Sequence, residues 1–401
     1  MSNVFMNTYH RLPVTFARGE GAWLFDINGK KYLDFCSGIA VNLLGHNYPP
    51  LVRAVTEQAA KIFHVSNYYM SDVSETFEEK LVEATAHTGI KNVFLANSGA
   101  EANEGACKIA RKYSLLKYGF GRHTIVTLKG SFHGRTITTL AATGQDKFHK
   151  DFGPFTEGFV HIAGGDIETL EKTLDGKTVA GLLIEAVQGE SGIVPQSQEF
   201  IAAAAKLCKE RDILLMFDEI QCGLGRTGTF LALENYKDEE GNPIKPDIVT
   251  LAKGLAGGIP AGAVLAGGKT CNVLSEGDHG STFGSNPIAA AAGLVVLKTV
   301  NTPDFLADIS HKGEIIFDAL KQHHKVKEVR GKGLMIGFDI EGGSWLLLKA
   351  AIARADNVKN QNGLLMLSAG ANTIRLLPPY TILDSEIDQG LEMLSELLDA
   401  S

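Results

Sequence analysis

The chain has 401 residues, 44% of them hydrophobic and 21% charged, which is the composition of an ordinary soluble protein with apolar material for two domains. A formal net charge of −8 argues against nucleic acid as the main partner, and no apolar stretch reaches membrane-spanning length. The five cysteines (Cys36, Cys107, Cys208, Cys222, Cys271) are scattered and form no CxxC pair, so neither a disulfide framework nor a metal site is expected; without a leader-like opening, the protein reads as cytoplasmic.

In chain order, residues 21–35 predict a hairpin, because Asn28-Gly29 separates two apolar runs. Residues 50–63 read as helix. From about residue 92 short apolar strands alternate with helices: strands at 93–95, 124–128, 181–184, 213–217, 247–251 and 262–266, with a helix from Glu101. This rhythm predicts an α/β fold with a mostly parallel sheet covered by helices on both faces. Beyond Pro287 a long helical segment leads to strands at 333–340 and 373–377, separated by a helix at 345–357. The expected organisation is an N-terminal segment (1–50) joining a small α+β domain, a large domain (51–290) and the C-terminal part of the small domain (291–401).

In open α/β sheets ligands bind at the carboxyl ends of the strands, so the residues there carry the functional reading. The strand at 247–251 ends in Lys253 followed by small residues, a place where an ammonium is costly unless its pKa falls or it is consumed as an imine. The plainer alternative is a lysine that snorkels to water. After 93–96 comes a small-residue turn (97–104) opening a helix, where Ser98, Gly99 and Ala100 offer an anion cradle, or where Ser98 is simply a helix cap completed by Glu101. Phe132 and Arg135 follow the next strand and offer a stacking face and a carboxylate clamp, or a core residue and a surface cation. Glu185 and Glu190 end another strand. Asp218 ends the next, either as a partner for a protonated ring nitrogen or as a helix cap. Together an anion cradle, a stacking face, an acid for a ring nitrogen and an imine-forming lysine match the needs of pyridoxal phosphate.

With these residues assembled, the chain resembles class III pyridoxal-phosphate aminotransferases of fold type I over nearly its full length. The passages 97–104, 131–136 (SFHGRT), 185–192 (EAVQGESG), 218–228 (DEIQCGLGRTG), 280–287 (GSTFGSNP) and 375–380 (RLLPPY) occur in the family's order. The resemblance implies a large domain built on a seven-stranded type of sheet and a homodimer with shared active sites. It implies that Lys253 carries the cofactor and shuttles a proton, that Asp218 keeps the pyridine nitrogen protonated, that Gln221 approaches the phenolic oxygen and that Phe132 stacks on the ring. Ser98, Gly99 and Ala100 would hold the phosphate, joined by Thr282 of the partner subunit. Arg135 would hold the distal carboxylate of either substrate and Arg375 the carboxylate beside the reacting carbon of glutamate, with Glu190 masking Arg375 in the other half-reaction and Ser281 on the substrate side. Ala100 departs from the more frequent threonine and Ala186 from the more frequent proline; since backbone N–H groups do most of the phosphate binding, little loss is expected from Ala100.

The catalytic set is common to enzymes acting on acetylornithine, succinylornithine, ornithine and 4-aminobutyrate. The passage 36–46, with its Gly-Ile-Ala-Val-Asn run, is most similar to the acetylornithine branch, and 64–69 falls where relatives contact the substrate chain. The expected reaction moves the terminal amino group of N2-acetylornithine to 2-oxoglutarate. A binding or regulatory protein without turnover is the alternative from another class; the short stretch before Gly21 and the retention of Lys253, Asp218 and both arginines speak against it.

Overall fold

The apolar runs assemble into one sheet of seven strands: β1 (Ile90–Ala96), β2 (Thr124–Leu128), β3 (Phe159–Ile162), β4 (Val179–Ile184), β5 (Leu214–Asp218), β6 (Ile248–Leu251) and β7 (Gly262–Gly267), in spatial order β1-β7-β6-β5-β4-β2-β3. This architecture comes from a computed structural model that describes residues 4–357 and 361–400, so the extreme ends of the expected terminal segments (1–3 and 401) lie outside the described residues. Among the described residues no helix is long and apolar enough to cross a membrane.

Strands β4 to β7 are buried along their whole length. They show no polar alternation because both faces are covered. Leu214 and Met216 of β5 pack with Ala106, Ile109 and Ala110 of the helix Gly99–Tyr118, whereas Leu215 and Phe217 join Phe200, Ile201 and Leu207 of the helix Gln198–Arg211. Alternate side chains thus serve opposite layers. All neighbouring pairs run parallel except those of β7, which is antiparallel to both β6 and β1. The start of β7 therefore lies at the same edge as the ends of the other six strands.

Two four-stranded sheets flank this layer, and Val187–Gln188 pairs with Val194–Pro195 in a small ribbon. Phe16–Glu20, Trp23–Asp26 and Lys31–Asp34 form a meander, and Gly363–Leu365 adds to it in parallel beside Lys31–Asp34, joining the N-terminal and C-terminal segments. The predicted turn is present: Gly29 has φ +79°, and the Asp26 carboxylate accepts the Asn28 and Lys30 N–H groups at 2.8 and 2.9 Å. The other sheet contains Glu328–Lys332, Met335–Asp339, Thr373–Leu376 and Leu367–Ser368. Here the expected strand 333–340 begins two residues late, because Gly333, with φ +54°, makes the turn of a hairpin with Glu328–Lys332. That partner strand carries two lysine or glutamate ends and an arginine, so no apolar run announced it.

The helix Pro287–Val300 is capped by Asn286, whose Oδ1 accepts Ile288 N at 3.0 Å, and it packs on the turn Lys253–Ala256 at the end of β6. Close approach is equally strict on the other side of that edge. A Cβ on Gly262 would lie 2.3 Å from the Ser98 carbonyl oxygen, a backbone atom that cannot swing aside. Gly262→Ala should therefore lower the stability of the folded chain by about 1–3 kcal/mol, the usual cost of overpacking a tight site. Denaturant unfolding measures this; an unchanged midpoint would show that the edge has slack.

Candidate active site

The loops that leave β1, β2, β4, β5 and β6, with the loop that enters β7, surround a cavity of about 390 Å³. Its wall includes Ser98, Gly99, Ala100, Phe132, Arg135, Asp218, Gln221 and Lys253, all of them candidates from the sequence. Val41, Asn97, His133, Glu185, Ile220 and Ile259 complete much of the rest.

Asp218 is 2% exposed, and a carboxylate so deeply placed must find donors. His133 Nδ1 and Asn103 Nδ2 both reach Asp218 Oδ2 at 2.7 Å, and Ile220 N donates to Oδ1 at 3.0 Å. Asn103 is itself fixed, donating to the His133 carbonyl and accepting from Thr250 Oγ1, each at 2.8 Å. This cluster leaves His133 Nε2 buried without a partner. His133 Nδ1 carries the proton toward Asp218 in the arrangement that satisfies the carboxylate, so the ring is oriented by the acid it supports.

Lys253 follows β6 and Ala252 with φ +51°, a left-handed conformation that side-chain-bearing residues adopt only under constraint. Gly254 explains part of the constraint: a Cβ there would meet the Leu43 side chain at 2.3 Å. Burial holds the Lys253 ammonium below the usual lysine value; Glu190 opposes that shift and Arg375 reinforces it. The neutral amine, which is the nucleophilic form, is thereby favoured.

The cradle is both a cap and an anion site. Ser98 is the N-cap of the helix Gly99–Tyr118, its Oγ accepting Glu101 N at 3.2 Å, while Glu101 reaches back to Asn97 N at 2.6 Å. The helix thus begins two residues before the predicted Glu101. Gly99 and Ala100 N–H, which have no intrahelical acceptor at a helix start, face the cavity edge with the positive end of the dipole. A Cβ on Gly99 would lie 2.8 Å from the Ile220 side chain, which would have to shift to admit it.

Behind Gln221 lies an ion pair that the cavity itself does not expose. Arg375, 2% exposed on the strand Thr373–Leu376, donates through Nη1 to Glu190 Oε1 at 2.7 Å, to Gln221 Oε1 at 2.9 Å and to the Gly189 carbonyl at 3.1 Å. Gln221 Nε2 donates to Glu190 at 3.3 Å. Burial works against ionisation of Glu190, but the Arg375 charge and hydrogen bond outweigh it and hold the carboxyl below its usual range. Glu185 behaves in the opposite way. Its carboxylate accepts Phe132 N at 2.8 Å and Gly189 N at 3.3 Å, yet burial, with the Asp218 charge adding to it, pushes it well above a normal glutamate.

Not every candidate gathers here. Thr282 is exposed and lines no part of this cavity. Ser281 is also outside it; its hydroxyl accepts Asn97 Nδ2 and Gly284 N, both at 2.9 Å, beside the cradle. Of residues 64–69, Asn67 donates to the Ser281 and Gly284 carbonyls at 3.1 and 3.2 Å, while Tyr68 and Tyr69 are exposed. Three residues with clear places at the site had no role assigned from sequence: His133 and Asn103, which hold Asp218, and Phe148, over whose ring the Arg135 guanidinium lies at 4.1 Å. His133 lies in the passage 131–136 and Asn103 in the passage 97–104, a position signal that was available for both; Phe148 lies in neither.

The donor set suits pyridoxal phosphate. A helix start that can bind an anion, an aromatic ring, a buried carboxylate and a lysine with a suppressed pKa all line one cavity. Comparison with known proteins agrees. The family described as aminotransferase class-III matches residues 4–398. The acetylornithine aminotransferase of Caldanaerobacter subterraneus subsp. tengcongensis is 44% identical over 399 residues, covering 98% of this chain and 96% of its own. Among solved structures, the N-acetylornithine aminotransferase from Stenotrophomonas maltophilia K279a is 35% identical with a TM-score of 0.81, over 98% of this chain and 97% of that one. The ornithine aminotransferase from Toxoplasma gondii ME49 is 30% identical with a TM-score of 0.89, over 99% and 93%. A match of this extent settles the family: the chain belongs to the class-III aminotransferases, enzymes that work with pyridoxal phosphate.

Proposed function

We propose that this enzyme moves the terminal (δ) amino group of N2-acetylornithine to 2-oxoglutarate in two half-reactions, giving N-acetylglutamate 5-semialdehyde and glutamate. The observation that carries the reading is the Glu190–Arg375 pair at 2.7 Å. An ω-amino donor has no carboxylate beside its reacting carbon, and an unpaired buried arginine is expensive; Glu190 supplies the missing charge. Glutamate and 2-oxoglutarate bring their own carboxylate and displace it.

When bound, pyridoxal phosphate supplies an aldehyde to carry the amino group and an electron sink for the pair released at the substrate carbon. The protein's residues do the rest. Ser98, Gly99 and Ala100 would hold its phosphate, and Phe132 and Gln221 would contact its ring from the cavity wall. Asp218, fixed by His133 and Asn103, would supply the negative charge that keeps a proton on the pyridine nitrogen. Lys253, whose neutral form burial favours, would take the proton from the substrate carbon and return it at the other end of the transfer. Arg135, steadied on Phe148, binds the distal carboxylate of donor and acceptor alike.

Two carboxylates line the cavity among the described residues, and both are engaged: Asp218 by His133 and Asn103, Glu185 by backbone N–H groups. The free α-ammonium of ornithine would find no spare acceptor of opposite charge, whereas a neutral acetamide needs none. The likeness to the Toxoplasma gondii ornithine aminotransferase supports ornithine as the second reading. We read the enzyme as a cytoplasmic homodimer in which Thr282 of the partner subunit completes the phosphate site. An exposed aromatic surface formed by Phe63, Tyr68, Tyr69 and Phe283, next to Thr282, supports that assembly. The division into a large unit at 51–290 and a small one from both ends belongs to the same reading.

Steady-state kcat/KM for N2-acetylornithine, N2-succinylornithine, ornithine and 4-aminobutyrate, each with 2-oxoglutarate, should be highest for N2-acetylornithine; a clear preference for ornithine replaces the first reading with the second. Lys253→Ala should lose the visible absorbance of the covalently held cofactor and at least about a thousandfold in kcat, the scale on which removing a proton-transfer group acts. In single-turnover half-reactions, Glu190→Gln should slow the ω-amine about tenfold or more while changing glutamate by less than about threefold, because only the former leaves Arg375 unpaired. Loading of cofactor-free protein, followed by absorbance, should titrate with a midpoint below 10.5. The same substitution should move it lower still, since it removes the carboxylate that raises Lys253; a midpoint at or above 10.5 contradicts the buried lysine.

A further inference from the structure

Residues 37–40 lie between the strand Lys31–Asp34 and the cavity wall at Val41, and their backbone has the wrong hand. Ser37, Gly38, Ile39 and Ala40 have φ of 47°, 63°, 69° and 59°. They make one turn of left-handed helix, closed by Val41 N and Asn42 N, which both donate to the Ser37 carbonyl at 2.9 Å. All but Gly38 carry a Cβ, which this hand drives against the following carbonyl oxygen. Such a turn persists only where its surroundings over-determine it.

Asp34, 1% exposed, supplies the constraint. Its Oδ1 accepts Cys36 N at 2.9 Å, Ser37 N at 2.8 Å and the Cys36 thiol at 3.0 Å, and its Oδ2 meets His46 Nε2 at 2.8 Å. His46 is anchored in turn by backbone hydrogen bonds with Gly21 in both directions, at 2.8 and 2.9 Å. Its side chain occupies space that a Cβ on Gly19 would enter at 2.5 Å. One carboxylate therefore fastens the beginning of the segment to its end.

The fastened segment touches the site on two sides. Leu377 N donates to the Phe35 carbonyl and Tyr380 N to the Leu43 carbonyl, each at 2.7 Å, just beyond Arg375. On the other side Leu43 packs over Gly254, next to Lys253. Val41 between them lines the cavity. The left-handed turn thus sets the wall between the arginine strand and the lysine. 2-Oxoglutarate, held at both ends by arginines, depends little on that wall. An ω-amine has one carboxylate to anchor it and depends on the wall for the rest of its placement.

We propose that Asp34, oriented by His46, is a positioning residue for the amino donor: it keeps residues 37–40 left-handed so that the wall at Val41 aligns the donor's chain with Lys253. The inference rests on the aminotransferase reading but not on the choice of amine, so the test uses the terminal amine that the unsubstituted holoenzyme turns over fastest. Asp34→Ala should raise KM for that amine about tenfold, while KM for 2-oxoglutarate and the visible absorbance of bound cofactor change less than about threefold. Ser37→Gly removes both a left-handed Cβ and a buried hydroxyl without a partner, and added to Asp34→Ala it should bring the donor KM back to within about threefold of the starting value. Asp34→Asn, which keeps an acceptor for the two N–H groups, should fall between; if Asp34→Ala does not fold, the comparison is read from Asp34→Asn with and without Ser37→Gly. Equal rises in KM for both substrates, loss of cofactor absorbance in step with activity, or a double variant no better than the single one would each overturn the assignment.

Discussion

A carboxylate buried at the end of a fully apolar strand is the constraint around which this molecule is arranged. Asp218 is satisfied by His133 from the loop after β2 and by Asn103 from the helix Gly99–Tyr118, and Asn103 is held by Thr250 of β6. Leaving any of these groups unpaired in the interior would cost a large part of what they contribute. The polar cluster therefore fixes how the helix and three strands meet. The proposed phosphate cradle lies at the start of the same helix as Asn103, five residues earlier at Ser98, a rise of about 7.5 Å. A single rigid element thus sets the separation between the anion end of the site and its acid end.

Charge around the cavity is managed by pairing on one side and by neutralisation on the other. Arg375 and Glu190 are paired, with Gln221 bound to both. Glu219, the residue after Asp218, points the other way, where it accepts Ala232 N and Leu233 N at 2.7 and 2.8 Å, and burial pushes its pKa up to about 8 despite those donors. Burial thus disfavours a second negative charge beside Asp218. Consecutive acids at the end of β5 thus do different work because the strand turns them to opposite faces.

How much of this was legible in the sequence follows from the range of each interaction. The strands of the large sheet were visible because burial on both faces leaves unbroken apolar runs, and the edge where ligands bind follows from their parallel direction. Among the strands that escaped notice, Phe16–Glu20, β3 and Glu328–Lys332 lie at sheet margins and carry charges or short mixed sequences, while Gly363–Leu365 and Leu367–Ser368 are too short to show a period. At the site, Lys253, Asp218 and the Ser98 turn stood out since each follows its strand directly. Asn103 did not, because its partner lies 115 positions away and nothing in a helix interior distinguishes one asparagine from a solvated one. The left-handed turn at 37–40 was equally hidden: Gly38 is its only glycine, and the hand is imposed by Asp34 from outside.

The reversed direction of β7 has a consequence for the lysine. Between parallel strands the chain must leave the sheet edge and return through a crossover, so successive loops at the site are independent of one another. Here β6 and β7 are antiparallel neighbours, and residues 252–261 connect them without leaving the edge. Lys253 at one end and Ile259, Pro260 and Ala261 at the other, all cavity residues, are thus parts of a single short tether. The nucleophile and this part of the cavity wall are therefore positioned by one continuous loop held at both ends by adjacent strands, so a change at Ile259, Pro260 or Ala261 reaches Lys253 through the chain itself.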